Sequence, residues 1–434
     1  MSDSGAAPAV ATKPEPSMAY RWIVLAGMSI ASYGGYYAFD YIGPMAPLLS
    51  RQLHFSDSQI GLLQAVYSLP NMVTMLVCGL IIDRIGTRKS LAVFAALVFG
   101  GLSISALSPS LWVMASGRLL VGTGAEALAL TTNVAIARWF WRGELSMAFG
   151  LLGSVRRLGS FSAQTSPAWA ASAYVYWQWP PALAAGFGAF CLIGSIIYWY
   201  LDSRGEKRFQ LGHESHAAQV PFREVFRFGK SFWLISLLCV TFYGCVFPFQ
   251  TFGQKFLIEA RGVSPGTASL LIGMEPLFSL IGMPIFGYIV DRYGRRSLFM
   301  MFGSALIMPT FLLLAYTNIP PAIPMAMMGV AFALVPAVMW PALAYVVEPK
   351  RLGLANGMLD TVQQIGLVLL NLLIGATNDY WMASATNTAG YRPGMWVFTG
   401  FGLLAVITSI WLRKVETGPH AQGLETITTK HKSM

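Results

Sequence analysis

Two charges of opposite sign stand where an apolar chain should carry none. Residues 145–169 read LSMAFGLLGSVRRLGSFSAQTSPAW, a run long enough to cross a bilayer, with Arg156 and Arg157 in its middle. The apolar stretch before it carries Glu126 within GTGAEALAL. An arginine at bilayer depth costs roughly 2.5–3.5 kcal/mol on insertion scales, so each needs a partner or a ligand. At about 1.5 Å per residue, Glu126 lies about 22 Å in from Leu111, and Arg157 about 20 Å in from Glu144. Both depths fall near the middle of a hydrocarbon core roughly 30 Å thick. The two stretches run antiparallel, so Glu126 and Arg157 are candidates to face each other across a cavity. A zwitterionic solute suits them, with its carboxylate on the planar fork of Arg157 and its ammonium on Glu126. The alternative is a structural ion pair that only joins two helices, although buried pairs stabilise little against apolar replacements. Arg156 points about 100° away from Arg157 around the helix, so both cannot enter one cavity. A carboxylate or a carbonyl of another helix is its candidate partner.

Other polar side chains in apolar stretches extend the candidate site. Arg118, offset from Glu126 by about 80°, either bonds to first-helix carbonyls or takes part in coupling. Tyr33, Tyr37 and Asp40 share one helical face with Tyr36 beside them, and Tyr243, Phe247, Gln250 and Gln254 repeat the spacing in the second half of the chain. Such faces suit a cavity wall, where rings pack on a solute and hydroxyls or amides bond it; the alternative is ordinary helix packing. Asp40 and Lys255 fall near helix ends, where snorkelling to water accounts for both, and Asp40 is also a coupling or gating candidate. Glu275 lies about 15 Å into its span. It is a candidate proton carrier, or else a neutral acid bonded to a local carbonyl. Asp360 and Asn371 share a face with Gln364 near it, adding polar contacts, and Gln363 is less securely oriented.

The elements that must hold these residues follow from composition. The 434 residues are 11% charged and 55% hydrophobic, with mean hydropathy +0.57. A soluble domain carries about 25% charged residues, so this is an integral membrane protein. Twelve stretches of about 20 apolar residues are expected, near 20–49, 58–82, 90–108, 111–137, 144–172, 180–201, 231–258, 265–290, 297–316, 320–347, 353–378 and 392–413. With both termini in the cytoplasm, the loops on that side hold sixteen Lys and Arg and the opposite loops hold three, Arg51, Arg261 and Arg392. That is the positive-inside asymmetry, and it accounts for the net charge of +10 without nucleic acid. Cys78, Cys191, Cys239 and Cys245 all fall in apolar stretches and read as small core residues. The five histidines, His54, His213, His216, His420 and His431, lie in loops or tails and suggest no metal site. Residues 1–18 lack the features of a signal peptide and fit a disordered tail. Short outer loops without an Asn-x-Ser/Thr sequon favour a bacterial inner membrane.

The chain also repeats itself. Gly79-Leu-Ile-Ile-Asp83-Arg84-Ile-Gly86-Thr87-Arg88-Lys89 returns as Gly287-Tyr-Ile-Val-Asp291-Arg292-Tyr-Gly294-Arg295-Arg296, 208 residues later. In this motif the first glycine is expected to permit close helix approach, the aspartate to face the start of a neighbouring helix, and the arginines to stay in water. The organisation expected is a disordered cytoplasmic tail (1–19), a six-helix bundle (20–201), a polar cytoplasmic linker (202–229), a second six-helix bundle (230–413) and a cytoplasmic tail (414–434). Two such halves make the parallel repeat of a secondary transporter.

On this doubled loop, and on Gly117-Arg118-Leu-Leu-Val-Gly122-Thr-Gly124 in the fourth span, the chain resembles the major facilitator superfamily over nearly its full length. The resemblance implies an all-α membrane fold of twelve helices in two pseudo-symmetric bundles, a central cavity and alternating access. Gly153-Ser-Val-Arg-Arg-Leu-Gly159 lacks the Gly-Pro pair of the drug/proton antiporters, which argues against an exporter of that branch. Glu126, Arg138-Trp-Phe140, Gly143-Glu144-Leu145, Ala148-Phe-Gly150 and Ser154-Val-Arg-Arg157-Leu-Gly159-Ser160 resemble the lysosomal dipeptide-carrier branch (major facilitator domain-containing type 1) and its bacterial relatives. So do Val246-Phe-Pro-Phe-Gln250, Trp340-Pro341, Leu352-Gly353 and Gln363-Gln364-Ile-Gly366-Leu. This implies a carrier for short peptides in which Glu126 and Arg157 bind the two substrate termini.

Together these readings predict a secondary active or facilitative transporter of small zwitterionic solutes, most of all di- and tripeptides. The alternative is a proton-coupled importer of organic acids, sugar acids or amino acids; a solute sensor that does not transport ranks lower. The expected substrate-binding residues are Arg157, Glu126, Tyr33, Tyr36, Tyr37, Tyr243, Phe247, Gln250, Gln364 and Asn371, with Asp40, Arg118, Glu275 and Arg156 for coupling or gating. Gly79, Asp83, Arg84, Arg88, Gly287, Asp291, Arg292 and Arg295 form the conformational loops. The partners expected are the small-molecule substrate, protons as the candidate coupling ion and the lipid bilayer, with no nucleic acid. No nucleophile-base or metal-ligand constellation occurs in the spans, so neither an enzyme nor a cofactor is expected.

Overall fold

The computed structural model describes residues 14–140, 144–211, 222–419 and 421–426, and every regular element among them is helical. The readings made for residues 1–13, Arg142, Gly143, His213, His216, His420, His431 and the chain end beyond 426 lie outside the described residues. In the first half, α1 (Met18–Asp40) and α2 (Ile42–Gln52) form one crossing. Next, α3 (Asp57–Ser68) and the start of α4 (Asn71–Leu107) form a second, and the rest of α4 a third. Then come α5 (Leu111–Trp139), α6 (Leu145–Gln164) extended by the short α7 (Ser166–Trp169), and α8 (Trp179–Arg208). The second half uses one helix per crossing: α9 (Lys230–Arg261), α10 (Pro265–Tyr293), α11 (Arg296–Tyr316), α12 (Ala322–Val346), α13 (Leu352–Tyr380) and α14 (Arg392–Glu416). Nine of the described helices are long and apolar enough to span a membrane by themselves. The other three crossings contain α1, α3 and α6, which are interrupted or loaded with polar residues. The twelve-helix, two-bundle architecture expected from sequence is thus present.

Both copies of the repeated loop turn on a glycine held at positive φ, Gly86 at 77° and Gly294 at 67°. An L side chain is strained there, so each glycine lets the chain reverse between two crossings. The rest of the motif departs from expectation. A Cβ at Gly79 or Gly287 would meet nothing within 4 Å, so neither glycine serves close packing here. Nor do all the motif arginines stay in water. Arg88 pairs with Asp202 at 3.0 Å and with Glu206. Arg296 is buried and bonds Asp291 at 3.2 Å, the Tyr345 hydroxyl at 2.9 Å and the Leu424 carbonyl at 3.3 Å.

Two expected boundaries also move. The linker begins later than residue 202 because α8 continues to Arg208. Asp202 is fully buried and accepts from Trp139 Nε1 at 2.7 Å, Arg138 at 3.3 Å and Arg88, which fastens α8 to α4 and α5. At the other end, residues 417–419 and 421–426 fold back on the second bundle. Glu416 accepts from Ser231 and from the backbone N–H groups of Gln422 and Leu424, and Glu425 accepts from the Ser297 N–H at the start of α11.

Within the first bundle α1 packs on α8, α6 and α5; within the second, α10 packs on α12 and α11 on α14. The bundles meet through α2 with α9, α3 with α13, and α6 with α10. An even number of crossings places both chain ends on one face, the terminal face, opposite a distal face. At the distal side glycines allow the closest approaches: a Cβ at Gly43, Gly61 or Gly375 would strike the backbone carbonyl of Gln250, Asn371 or Asp57 in the other bundle. Small residues at such crossings let helix backbones touch.

Candidate functional site

Between the bundles lies a cavity of about 200 Å³. The first bundle lines it with Tyr36 and Phe39 of α1, Tyr67 of α3, Glu126 of α5, and Arg157 and Ser160 of α6. From the second come Tyr243 and Phe247 of α9, Trp340 of α12, and Asp360, Gln363, Gln364 and Leu367 of α13. Aromatic rings line part of it: Tyr243 and Phe247 stack with centroids 5.3 Å apart, and Phe39 meets Phe247 edge-on at 5.6 Å. Trp340 Nε1 donates to the Tyr243 hydroxyl at 2.9 Å, which fixes that ring.

The charges within the cavity do not cancel one another directly. Tyr67 donates its hydroxyl to Glu126 at 3.2 Å. The Arg157 guanidinium lies over the Phe332 ring at 5.0 Å, and among the described residues it makes neither an ion pair nor a hydrogen bond. Glu126 and Arg157 therefore share a cavity without bonding each other, so the structural ion pair left open by the sequence is not formed.

Arg156, one residue away, has the opposite fate. Its Nη2 donates to the Ala129 carbonyl at 3.0 Å, Thr132 Oγ1 at 2.8 Å and Asn133 Oδ1 at 3.0 Å, and it lies over Tyr36 at 5.7 Å. It clamps α6 to α5 by carbonyl, hydroxyl and amide. Arg118 is 0% exposed and donates to the carbonyls of Ala38 (2.7 Å), Phe39 (3.2 Å) and Leu63 (3.3 Å) and to Gln64 Oε1 (2.7 Å), which ties α5 to α1 and α3.

Several expected wall residues stand elsewhere. Tyr33 donates to Ser162 Oγ at 2.7 Å and borders an outward apolar groove between α1, α6 and α8. Tyr37 is buried against Phe187, stacked at 4.0 Å. The face of α1 that meets the cavity carries Tyr36 and Phe39, because α8 covers the Tyr33 and Tyr37 face. Gln250 bonds Glu275, which also accepts from Ser279, distal to the cavity. Asn371 is buried beyond the cavity and donates to the Leu367 carbonyl at 2.9 Å. Asp40 and Lys255 do not snorkel. Asp40 is 6% exposed and accepts from Gln164 at 3.2 Å, while Lys255 is 6% exposed and ion-paired with Asp57.

That pair belongs to a seal at the distal side that sequence reasoning missed. Asn378 donates to Asp57 Oδ2 at 2.8 Å; Asp379 accepts from the backbone N–H groups of Asp57 and Ser58, both at 2.8 Å; and Gln254 donates to the Gln164 carbonyl at 2.8 Å. Each bond joins one bundle to the other. Charged residues at matched helix ends were the available signal, since Asp57 opens α3 while Lys255 and Asp379 sit at the ends of α9 and α13.

The sequence profile of the Major Facilitator Superfamily matches residues 25–256 and 249–431. Among characterised proteins the chain is 30% identical to "Lysosomal dipeptide transporter MFSD1" of Danio rerio, over 86% of this chain and 84% of that one. It is equally 30% identical to the protein of that name in Homo sapiens, over 86% and 83%. The "Hexuronate transporter" of Escherichia coli (strain K12) is 23% identical over 90% and 93%. Two solved structures share the fold. A bacterial homologue of the human lysosomal transporter Spinster, inward-facing and unoccupied, has a TM-score of 0.76 at 15% identity over 92% of this chain and 98% of its own. The nucleoside transporter NupG has a TM-score of 0.73 at 14% identity over 90% and 99%.

Proposed function

The chain belongs to the major facilitator superfamily and is a multi-pass membrane transporter, and from that premise we propose that its solute is a short zwitterionic peptide. A di- or tripeptide would place its carboxylate on Arg157 and its ammonium on Glu126, and alternating access would move it. The observation that carries this reading is the unused Arg157 guanidinium in a cavity it shares with Glu126. A desolvated charge without a partner is costly, and a carboxylate ligand would meet the guanidinium fork with two parallel bonds. The aromatic walls from Tyr36, Phe39, Tyr243 and Phe247 supply apolar surface for peptide side chains. The similarity to dipeptide transporters of two vertebrates points the same way.

The test is uptake of labelled dipeptide into proteoliposomes. Arg157→Ala should lower it at least thirtyfold, since truncating one partner of a desolvated charge pair costs about 2–5 kcal/mol. Undiminished uptake overturns the proposal. A second reading draws on the similarity to the hexuronate transporter. In it a sugar acid needs Arg157 alone and Glu126 joins a proton relay. Thermal stabilisation by a panel of peptides, amino acids and sugar acids separates the two, because a ligand at a hundred times its Kd adds about 2.7 kcal/mol of stability.

We also place both termini on the cytoplasmic side of a cell membrane, on the asymmetry of Lys and Arg between the loops. Reporter fusions at the C-terminus that are active only when exported would reverse this orientation if they gave signal.

A further inference from the structure

A separate cavity of about 200 Å³ lies at the distal side of the second bundle, between the end of α9, the end of α11 and the start of α14. Of the three Lys and Arg counted in the distal loops, two line it, Arg261 and Arg392; the third, Arg51, belongs to α2 of the first bundle. No carboxylate stands among its described lining residues. Arg261 donates to the carbonyls of Leu314 at 3.2 Å, Ile319 at 2.8 Å and Thr317, which hold its guanidinium in place without neutralising it. The Arg392 side chain lies over the Tyr316 ring at 5.1 Å and has no ion pair or hydrogen bond among the described residues. It opens α14, where the helix dipole adds positive potential. Glu259, two residues before Arg261, accepts instead from the Tyr391 hydroxyl at 2.6 Å. The position is interfacial. Tyr316 and Trp396 stand outward beside the cavity, 49% and 54% exposed, and Trp396 Nε1 donates to the Tyr316 hydroxyl at 2.8 Å. Exposed rings of this kind mark the boundary between membrane and water.

We infer that this cavity is a phosphate site, in which Arg261 and Arg392 share one phosphate group, presented at the bilayer surface as a lipid headgroup or free in water. Two like charges lining one cavity repel each other, and a phosphate between them replaces that repulsion with charge-assisted hydrogen bonds. Asn318 and Thr388 add an amide and a hydroxyl that can donate to the remaining oxygens. Arg261 is already fixed by three carbonyls, so it loses little freedom on binding. Because α9, α11 and α14 all belong to the second bundle, the occupant braces that bundle without entering the substrate cavity. It also bears on the distal seal: Phe256, which lines the site and meets Tyr391 edge-on at 5.5 Å, directly follows Lys255 in α9. The inference is independent of the peptide reading, since the two cavities share no lining residue.

Melting curves of the full chain in a phosphate-free maltoside buffer test this with two probes, phosphatidylglycerol in mixed micelles and inorganic phosphate. A glycosyl diacylglycerol serves as the lipid without phosphate. At least one probe should raise the melting temperature of the wild type by about 3 °C more than that of Arg392→Gln. A gain from phosphatidylglycerol alone assigns the site to a lipid headgroup; a gain from inorganic phosphate assigns it to the free anion. Arg392→Lys should keep most of the gain, and Arg51→Gln should keep all of it. Without a probe, Arg392→Gln should melt near the wild type, because its side chain gives up only a ring contact. Equal responses of the wild type and Arg392→Gln to both probes overturn the inference. So does an equal loss in Arg51→Gln, the result expected of diffuse distal charge. A gain of the same size from the glycosyl diacylglycerol also overturns it, since acyl chains alone would then account for the effect.

Discussion

Two adjacent arginines of one helix show how a residue's role follows from what it meets. Arg156 and Arg157 differ by one step of about 100°. That step sends the first into three acceptors of α5 and the second into a cavity. Arg118 extends the first kind, with four acceptors on α1 and α3. Arg118→Leu should therefore destabilise the purified protein by about 3 kcal/mol, since it leaves several buried acceptors unpaired. Arg157→Leu should leave the melting temperature unchanged or raise it, because no described protein group loses a hydrogen-bond partner. Melting curves of the two variants in detergent check the contrast, and equal losses would remove the distinction between clamp and ligand anchor.

At the scale of the element, three of the crossings that line the cavity are poor membrane helices by themselves. α1, α3 and α6 hold Tyr36, Phe39, Tyr67 and Arg157, and they lack the combination of length and apolarity that the other nine reach. Where they cross the second bundle, glycine sets the distance. Gly61 of α3 faces the Asn371 carbonyl of α13 too closely for a Cβ. Gly61→Val should thus wedge the distal ends of α3 and α13 apart and favour a state open on that side. Reaction of a cysteine introduced at Ser160 with a membrane-impermeant maleimide, added from the distal face, should rise severalfold. An unchanged rate would mean that the helices absorb the added carbon without separating.

The whole molecule is closed on one side by bonds between its halves. Asp57, Lys255, Asn378 and Asp379 make a compact polar latch at the distal face, with Gln254 and Gln164 beneath it. Lys255→Ala leaves Asp57 buried without its cation, which costs most in the state where the latch is shut. Spin labels on the distal ends of α3 and α13 should therefore report a longer mean separation in Lys255→Ala than in the wild type. The same distance in both would show that apolar packing of α2 on α9 closes this face unaided.

The membrane class, the count of crossings, the doubled loop and the meeting of Glu126 and Arg157 at one cavity were all legible in the sequence. Each depends on local quantities: apolar run length, charge between runs, repeat spacing and rise per residue. The orientation of helix faces was not. Tyr33 and Tyr37 share a helical face as polar-looking as that of Tyr36, and only the position of α8 buries them while Tyr36 enters the cavity. Asp40 and Lys255 sit near helix ends, where water is the usual destination, yet partners from other helices cover both. Pairing between residues some two hundred positions apart, as in Asp57 with Lys255, depends on how two bundles meet and leaves no periodic trace in either helix. The chain therefore encodes which side chains must be compensated in the membrane, while the packing of α8, α9 and α13 against their neighbours chooses which of them a partner satisfies and which are left facing the cavity.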